Sequence, residues 1–596
     1  MTNKLSYTIV ACLLAFVFVI TVLSITTDSL SMDELAHLPA GYSYLTQRDM
    51  RINPEHPPLV KDLSAIPLLF IKDIEFPYEI KSWKDDVNGQ WEFGNYFLFK
   101  SGNPAEIIIF LARIPMILLL LVCGLYIFLL AKNLFGNEAG VLAMVLFALS
   151  PTFLAHGRLV TTDVGAATGT VIALYYFIIF LKNNTKKNLI FAGIALGIAE
   201  LLKFSLILLI PLFGILAIGW AIVISKNSKE FFKNLLKYIG YCILIGLIAL
   251  LVIWSLYLFH IWGYSAERQI ADIKFNLGSF GSKPLVNMVV WMAGNPVLRP
   301  IAQYLHGLFM VLQRASGGNT GYFMGEISAA GWKTYFPVVY LIKETITFHM
   351  LTVAALLFFI VSALSAAIKT GLKNPIKNLL NWTKNNFWGL SLFAFIAIYW
   401  ITSLKSNLNI GVRHLLPVFP FTIVLASAGV IFLIKKLSWS KSLKYSSLSI
   451  LAILILFQAY SVISVYPNFI AYFNEAIGGP KQGYKYVEDS NLDWGQDLKR
   501  LNIWLEKNNI KKIYINYFGG SDLDYYLGNK YIFWDGMNNP SQMTESKYIA
   551  VSATLLQGGR GKPSIGYDSP TGYYNWLNSY EPIAVIGHSI FVYYIN

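Results

Sequence analysis

The sequence predicts a polytopic α-helical membrane protein of about 11 spans, followed by a C-terminal mixed α/β domain. Hydrophobic residues make up 55% of the 596 residues, only 13% are charged, and the mean hydropathy is +0.53. A membrane-crossing helix needs about 20 apolar residues. Segments such as 107–131 and 238–259 meet that length with hardly a charge. This composition excludes a single soluble globular domain.

The apolar segments divide into a definite order of predicted spans. They are residues 5–25, 106–131, 139–155, 164–181, 188–203, 205–224, 238–259, 338–368, 387–403, 415–434 and 447–465. We interpret the first as a retained span, because no small-residue cleavage site follows it. One long kinked helix over 188–224 is the alternative to the fifth and sixth spans, but it would place the lysine-rich loops outside the cell.

Lysines are concentrated in alternate loops, which is typical of loops that stay in the cytoplasm. Two of these loops contain Lys226, Lys229, Lys233 and Lys237, and Lys435, Lys436, Lys441 and Lys444. We therefore expect a multi-pass protein of the cell membrane with a cytoplasmic N-terminus. The same loops explain the formal charge of +14, so no nucleic-acid partner is expected.

The composition changes after the last span and predicts two domains. Residues 1–466 form the membrane domain, with two long outer loops at 26–105 and 260–337, and residues 467–596 form an extracytoplasmic domain. Segments with strand-like alternation lie at 511–518, 546–553 and 588–595. Together with a preceding helical stretch they favour a small mixed α/β fold.

The first outer loop opens with adjacent carboxylates, Asp33 and Glu34, just past the membrane boundary. Either could act as a general base toward a hydroxyl or amine. Ser31 followed by Glu34 also matches a capping box, so a plain helix start is the alternative. His37, one turn later, could orient Asp33 or face lipid headgroups. Further along the loop, prolines in NPEHPPL (53–59) hold Glu55 and His56 in fixed directions.

Several cations fall at predicted outer ends of spans, close to acids. They are Arg158, Lys203 and Arg413, and Asp163 lies in the same loop as Arg158. Such cations could hold a phosphate and stabilise it as a leaving group. For Arg158 a snorkelling membrane anchor is the alternative, whereas the short side chain of Asp163 favours a polar cavity. In the C-terminal segment DSNLDWGQDL (489–498), Asp493 could bind an acceptor or cap a helix.

The order of motifs resembles a known family. The motifs are DE (33–34), EHPPL (55–59), RLVTTD (158–163), GWKTYFPVVYLIKE (331–344), NIGVRHLLP (409–417) and DSNLDWGQDL. This series resembles the lipid-carrier-dependent GT-C glycosyltransferases. They are related to the protein O-mannosyltransferases of glycosyltransferase family 39 and to the lipid A aminoarabinose transferase.

The resemblance implies a GT-C fold and transfer of a sugar from a polyprenyl-phosphate donor to an extracytoplasmic acceptor, which could be a protein, a glycolipid or a glycan. The family's acidic positions fall on Asp33, beside Glu34, and on Asp163. His56 stands where the aminoarabinose transferase has a lysine, and a neutral imidazole binds phosphate less firmly. We expect Asp33 to act as the base of an inverting reaction. Membrane lipids are the expected surroundings.

The expected donor-phosphate ligands are four basic residues: His56, Arg158, Lys203 and Arg413. No cofactor is expected and metal dependence is not implied, since no close set of carboxylates or histidines stands out. The alternative function is a transporter or lipid flippase, which would predict polar residues at the midplane and matching helix breaks in two halves. A non-catalytic scaffold would leave the charged first loop unexplained.

Overall fold

Long apolar helices make up most of the chain as far as residue 463. The structure is a computed structural model that describes residues 1–370 and 375–595. Within these ranges, nine helices are long and apolar enough to cross a membrane. The chain is therefore a multi-pass helical membrane protein, as the composition predicted.

The first membrane helix leads into a region of short helices. The membrane helix is α1 (Asn3–Ser24). The short helices are α2 (Met32–Gln47), α3 (Leu59–Ala65), α4 (Lys81–Lys84) and α5 (Gln90–Asn95). The next group contains α6 (Ala105–Phe135), α7 (Asn137–Ala148), α8 (Pro151–His156), α9 (Thr162–Lys182), α10 (Lys186–Leu202), α11 (Leu209–Ile224) and α12 (Ser228–His260).

A second region between membrane helices and four more membrane helices follow. This region contains α13 (Ala266–Asn276), α14 (Lys283–Ala293), α15 (Arg299–Gly317), β1 (Gly321–Phe323), β2 (Glu326–Ser328) and α16 (Tyr335–Lys343). The membrane helices are α17 (Ile346–Thr370), α18 (Pro375–Leu404), α19 (Phe419–Leu437) and α20 (Lys441–Ile463).

Every predicted span contains a helix, but some are shorter or broken. Among them α7 has 12 residues and α10 has 17. The span predicted at 338–368 is two helices, α16 and α17, because the backbone of Glu344 is extended and the Thr345 hydroxyl accepts a hydrogen bond from the N–H of Phe348 (3.1 Å). Such a side-chain cap starts a new helix rather than continuing the old one.

The two most enclosed spans carry the site described below. In α9, 78% of the apolar window is buried, and in the segment Val412–Leu437, which includes α19, the value is 72%. By contrast, only 22% of the window in α12 is buried. Residues at the starts of α9 and of the Val412–Leu437 segment therefore meet at the centre of one end of the helical bundle.

The C-terminal part forms a five-stranded sheet with helices beside it. Its elements are α21 (Leu498–Lys507), β3 (Ile513–Asn516), α22 (Leu523–Leu527), β4 (Tyr531–Phe533), β5 (Tyr548–Ser552), α23 (Ala553–Gly558), β6 (Lys562–Pro563), β7 (Ala584–Ile586) and β8 (Ile590–Tyr594). The strand order is β4-β3-β5-β8-β7, and β6 pairs instead with β2. The pairs of β3 with β4 and β5 are parallel and the other two pairs are antiparallel. This is the mixed α/β fold that the alternation predicted.

The segment 467–497, about half of it buried, joins the sheet to the membrane helices. The buried Lys343 ammonium donates to the carbonyl oxygens of Ile470 (2.7 Å), Tyr472 (2.6 Å) and Asn491 (2.6 Å). The Ser29 hydroxyl donates to the Gly495 carbonyl (2.8 Å), so the start of the first outer loop and the C-terminal part lie at the same end of the bundle. The division of the chain at residue 467 stays a prediction.

Candidate active site

A chain of alternating charges links four distant parts of the sequence. The Arg413 Nη1 donates to Asp33 Oδ2 (2.6 Å) and lies 3.4 Å from Asp163 Oδ2. The other oxygen of Asp163 accepts from the Lys203 ammonium (2.6 Å). The structure therefore brings together two acids and two cations that the sequence placed at separate span ends.

Local backbone structure explains why these side chains meet. Asp33 and Asp163 lie in the first turns of α2 and α9, where a helix N-terminus favours a carboxylate. Lys203 has an extended backbone at the break after α10. Arg413 lies in a 3₁₀ turn that begins after Gly411. Gly411 has φ +156°, and a Cβ there would lie 2.2 Å from the Ser490 hydroxyl. The turn therefore needs glycine.

A cavity of about 600 Å³ opens beside this chain of charges. Its charged lining residues are Asp33, Glu55, Lys203, Arg314, Lys405 and Arg413. Apolar side chains, including Leu208, Leu308 and Leu312, line another part. A cavity with cations on one side and an apolar wall on the other suits an amphipathic ligand.

The two acids differ in their access to this cavity. The Asp33 side chain is 23% exposed and its Oδ1 has no hydrogen-bond partner among the described residues. The Asp163 side chain is 1% exposed, and its two oxygens face Lys203 and Arg413. Only Asp33 of this pair therefore presents a free oxygen to a molecule in the cavity.

Two cations of the lining were not identified from the sequence as site residues. Within residues 1–370 and 375–595, the guanidinium of Arg314 and the ammonium of Lys405 take part in no hydrogen bond or ion pair. Arg314 lies on α15, inside the segment 260–337 that was predicted as the second outer loop. Its sequence signal is one basic residue on an amphipathic helix, which does not distinguish a ligand from a solvated surface residue.

The loop that carries Glu55 and His56 is held rigidly against the cavity. The Glu55 carboxylate accepts from Asn88 Nδ2 (3.0 Å) and Gln90 Nε2 (2.6 Å). The buried Lys61 ammonium donates to the carbonyl oxygen of His56 (2.9 Å) and to that of Asn53 (2.7 Å). The prolines are therefore supplemented by a buried cation that fixes the backbone.

His37 and His56 line the cavity as a pair. Their ring centroids are 4.9 Å apart in an edge-to-face arrangement, and His37 Nδ1 lies 2.9 Å from the Val160 carbonyl oxygen. Burial lowers the pKa of His56 well below its usual value, and the nearby His37 and Lys61 lower it further. Burial also lowers the pKa of His37. Both imidazoles are thus neutral at pH 7 and offer hydrogen bonds rather than charge.

Glu34 faces away from the cavity and is completely buried. Its carboxylate accepts from Arg113 Nε (2.9 Å) and Nη2 (2.6 Å), from the N–H of Val160 (2.9 Å) and from the N–H of Ser31 (2.9 Å). The capping box with Ser31 is present. Burial raises the pKa of Glu34, but the Arg113 charge and these hydrogen bonds hold it below its usual value. With every acceptor position occupied, Glu34 stabilises the start of α2.

Arg158 and Asp493 also lie outside the cavity lining. The Arg158 guanidinium is buried and donates to Asp28 Oδ2 (2.5 Å), and Asp28 also pairs with Arg500. Asp493 Oδ2 accepts from the N–H of Thr554 (2.9 Å), and burial raises the pKa of Asp493 to about 8. The predicted residues that share the cavity are therefore Asp33, His37, Glu55, His56, Lys203 and Arg413, with Asp163 directly behind them.

No group of three or more histidine, cysteine, aspartate or glutamate side chains that could hold a metal ion occurs in the described part of the chain.

The fold and the cavity define a polytopic membrane protein with an acid and several cations at one end of its helices. Residues 108–254 match the family model described as dolichyl-phosphate-mannose-protein mannosyltransferase. The match covers α6 to most of α12 and confirms the resemblance found in the motifs. Over these residues, about a quarter of its length, the chain is similar to a family of membrane glycosyltransferases.

Three solved structures are similar to the chain at low identity. The Saccharomyces cerevisiae protein O-mannosyltransferase Pmt1–Pmt2 complex bound to the sugar donor is 20% identical over 44% of this chain and 35% of that chain, with a TM-score of 0.35. The Archaeoglobus fulgidus oligosaccharyltransferase AglB with an inhibitory peptide and a dolichol-phosphate is 13% identical over 90% and 69%, with a TM-score of 0.44.

The third is ArnT from Cupriavidus metallidurans bound to undecaprenyl phosphate, which is 11% identical over 100% of this chain and 98% of that chain, with a TM-score of 0.31. The chain thus spans about a third of the length of the yeast protein. A comparison with curated protein sequences gave no match.

Proposed function

We propose that this glycosyltransferase moves a sugar from a polyprenyl-phosphate-linked donor to an acceptor at the extracytoplasmic face, with inversion at the anomeric carbon. The single observation that carries the proposal is the free carboxylate oxygen of Asp33 in a cavity lined by Arg314, Lys405 and Arg413. A base and a set of phosphate ligands are the two groups that this reaction requires.

In the proposed step, an acceptor hydroxyl or amine attacks the anomeric carbon and gives its proton to Asp33. The bond between that carbon and the phosphate oxygen breaks, and its electron pair stays on the departing polyprenyl phosphate. Arg314, Lys405 and the open Nη2 of Arg413 stabilise that charge. A neutral His56 imidazole can add a hydrogen bond to a phosphate oxygen.

Asp163 has a different role in this proposal. Because it is buried and bonded to Lys203 and contacts Arg413, it holds these two cations in place instead of contacting the substrate. This arrangement neutralises part of the positive charge beside the cavity, so that the site can release the product phosphate after the transfer.

The proposed orientation has the cavity on the extracytoplasmic side and the N-terminus in the cytoplasm. It is supported by the lysine-rich loops that join the opposite ends of the helices. A lipid-linked donor would approach laterally, with its phosphate at the membrane surface and its chain along apolar helices such as α12. The acceptor class, whether protein, glycolipid or glycan, is left open.

The experiment uses the purified full-length chain in proteoliposomes with undecaprenyl-phosphate-linked mannose, glucose or aminoarabinose and an extract of envelope acceptors. Mass spectrometry measures free undecaprenyl phosphate and the glycosylated product, and NMR gives the anomeric configuration. We expect one donor to be consumed by the wild-type chain. Asp33→Asn should slow consumption by at least about 10²-fold while undecaprenyl phosphate still binds.

Two results would count against the proposal. Wild-type turnover by Asp33→Asn would remove Asp33 as the base. Movement of the intact donor across the bilayer without loss of its sugar would favour the alternative of a lipid flippase.

A further inference from the structure

The C-terminal segment 489–494, with the sequence DSNLDW and called here the DSNLDW segment, packs directly against Arg413. We propose that Ser490 and Trp494 of this segment are positioning residues that hold the Arg413 guanidinium between Asp33 and the cavity. This inference rests on the proposed function. It makes the C-terminal part a component of the active site rather than a separate recognition domain.

Ser490 fixes one edge of the guanidinium. Its hydroxyl accepts a hydrogen bond from Arg413 Nε (3.0 Å) and donates to the carbonyl oxygen of Ile410 (2.5 Å). Ser490 is completely buried. Because its single proton is used by Ile410, the hydroxyl oxygen is oriented to accept from Arg413.

Trp494 fixes the plane of the guanidinium. The Arg413 Cζ lies 4.2 Å from the centroid of the indole ring, within the range of a cation–π contact. Trp494 is 1% exposed, and its backbone N–H donates to Gln496 Oε1 (2.8 Å). A ring beneath Cζ takes up none of the guanidinium N–H groups, so Nη1 can reach Asp33, and Nη2 has no hydrogen-bond partner among the described residues.

Trp494 also contacts the helix that carries Asp33. Its carbonyl oxygen accepts a hydrogen bond from the N–H of Met32 (2.9 Å), the residue directly before Asp33. The same tryptophan therefore fixes both members of the Asp33–Arg413 pair, one through its ring and the other through its backbone. A residue that served only the C-terminal fold would not need both contacts.

Asn491 secures the backbone of the turn that contains Arg413. Its Oδ1 accepts from the N–H of Val412 (2.9 Å) and its Nδ2 donates to the hydroxyl of Tyr335 (2.9 Å). Together with the close approach of Gly411 to Ser490, this contact fixes the Cα of Arg413 relative to the segment. Residues of the DSNLDW segment thus hold both the side chain and the backbone of Arg413.

The physical consequence is a preorganised cation. An unsupported arginine next to two carboxylates would turn both of its terminal nitrogens toward them, because bidentate pairing is the more favourable geometry. Stacking and the Nε hydrogen bond prevent that rotation. Donors already aimed at the position of developing charge contribute most to the rate, since they need no reorganisation during the reaction.

The test compares Trp494→Leu, Trp494→Phe and Trp534→Leu in the full-length chain, assayed with the donor that the wild type consumes. Trp534 is the matched control, because it is equally buried in the C-terminal sheet and packs on Tyr514. We expect Trp494→Leu to lower kcat about tenfold. Trp494→Phe should keep most of the rate, because an aromatic face remains, and Trp534→Leu should keep the wild-type kcat.

The decisive measurement is the combination with Arg413→Lys. If Trp494 acts through Arg413, the loss caused by Trp494→Leu should largely disappear in the Arg413→Lys background. Full additivity of the two losses, or an equal loss in Trp534→Leu, would overturn the inference. Ser490→Ala provides a second route if Trp494→Leu does not fold, with the same expected non-additivity.

The proposed function is tested separately by Asp33→Asn. Suppose that Asp33→Asn loses turnover, but the rate losses of the Trp494 and Arg413 variants are additive. That result would overturn the positioning role and leave the proposed function standing. Wild-type turnover in both Asp33→Asn and Arg413→Lys would overturn the proposed function, and this inference with it.

Discussion

Asp33 and Glu34 are adjacent in the sequence, but their carboxylates lie in opposite surroundings. Asp33 bonds to Arg413 at the edge of the cavity, whereas Glu34 bonds to Arg113 in the fully buried interior. Successive residues in the first turn of α2 point in directions about 100° apart. One helix start therefore supplies both a site residue and a buried anchor.

We expect Glu34→Gln to destabilise the protein by about 3–5 kcal/mol, because Arg113 would keep a buried charge without its partner. Asp33→Asn should have little effect on stability, because Arg413 retains Asp163. Thermal unfolding in detergent, followed by tryptophan fluorescence, measures both. An unchanged melting temperature for Glu34→Gln combined with lost turnover would instead indicate a catalytic role for Glu34.

We expect Arg314→Ala to weaken the binding of undecaprenyl phosphate about 10- to 100-fold, because a charge-assisted hydrogen bond contributes about 1.5–3 kcal/mol. The affinity of the variant should also depend less on salt concentration than that of the wild type. Lys274→Ala is the control, since Lys274 is exposed on the same outer loop but does not line the cavity. Equal binding by the two variants would exclude Arg314 as a phosphate ligand.

We expect Arg158→Gln to leave the affinity for undecaprenyl phosphate within about twofold, since the cavity charge that steers the phosphate is unchanged. It should lower the melting temperature, because Asp28 would lose one of its two arginine partners, the buried one. Binding by native mass spectrometry and unfolding by fluorescence separate the two effects. A large loss of affinity in a stable variant would show that Arg158 binds the donor phosphate, as the sequence analysis expected.

We expect Asp493→Asn to stabilise the protein increasingly as the pH rises from 5 to 8. The buried carboxyl has a pKa of about 8, above its usual value, because burial disfavours the charged form and Asp497 and Asp489 repel it. The folded state therefore holds a proton that the unfolded state releases above pH 4, and the stability falls as the pH rises toward 8. The asparagine avoids this loss.

Melting temperatures of both proteins at pH 5, 6, 7 and 8 measure the effect. The difference between variant and wild type should be smallest at pH 5 and largest at pH 8. A constant difference would show that Asp493 does not titrate over this range.

The positions of several site residues could be predicted because hydrophobic segments fix where the chain leaves the bilayer. Asp33, Asp163, Lys203 and Arg413 each follow or precede such a segment, so their charges had to gather at span ends. The Ser31–Glu34 capping box was also visible as an alternative. Its partner Arg113 was not, because a single arginine inside an apolar run gives no indication of what it faces.

Of two breaks in the membrane helices, the sequence predicted one and missed the other. Lys203, a charge between two apolar runs, marked one break correctly. The break at Glu344 was missed, because the surrounding run is apolar enough for one span. Contacts with distant residues, such as that of Glu344 with Ser150 (2.8 Å), account for a polar group there.

The sequence by itself determined the class of fold and the end of the bundle where charged residues collect, because burying a charge in lipid is costly at any position. Only the tertiary structure decided which acid opens to the cavity and which cations remain free. Those outcomes depend on pairs such as Glu34 with Arg113 and Asp33 with Arg413, separated by 79 and 380 residues. No local pattern can specify such pairs, since they are selected by the packing of whole helices.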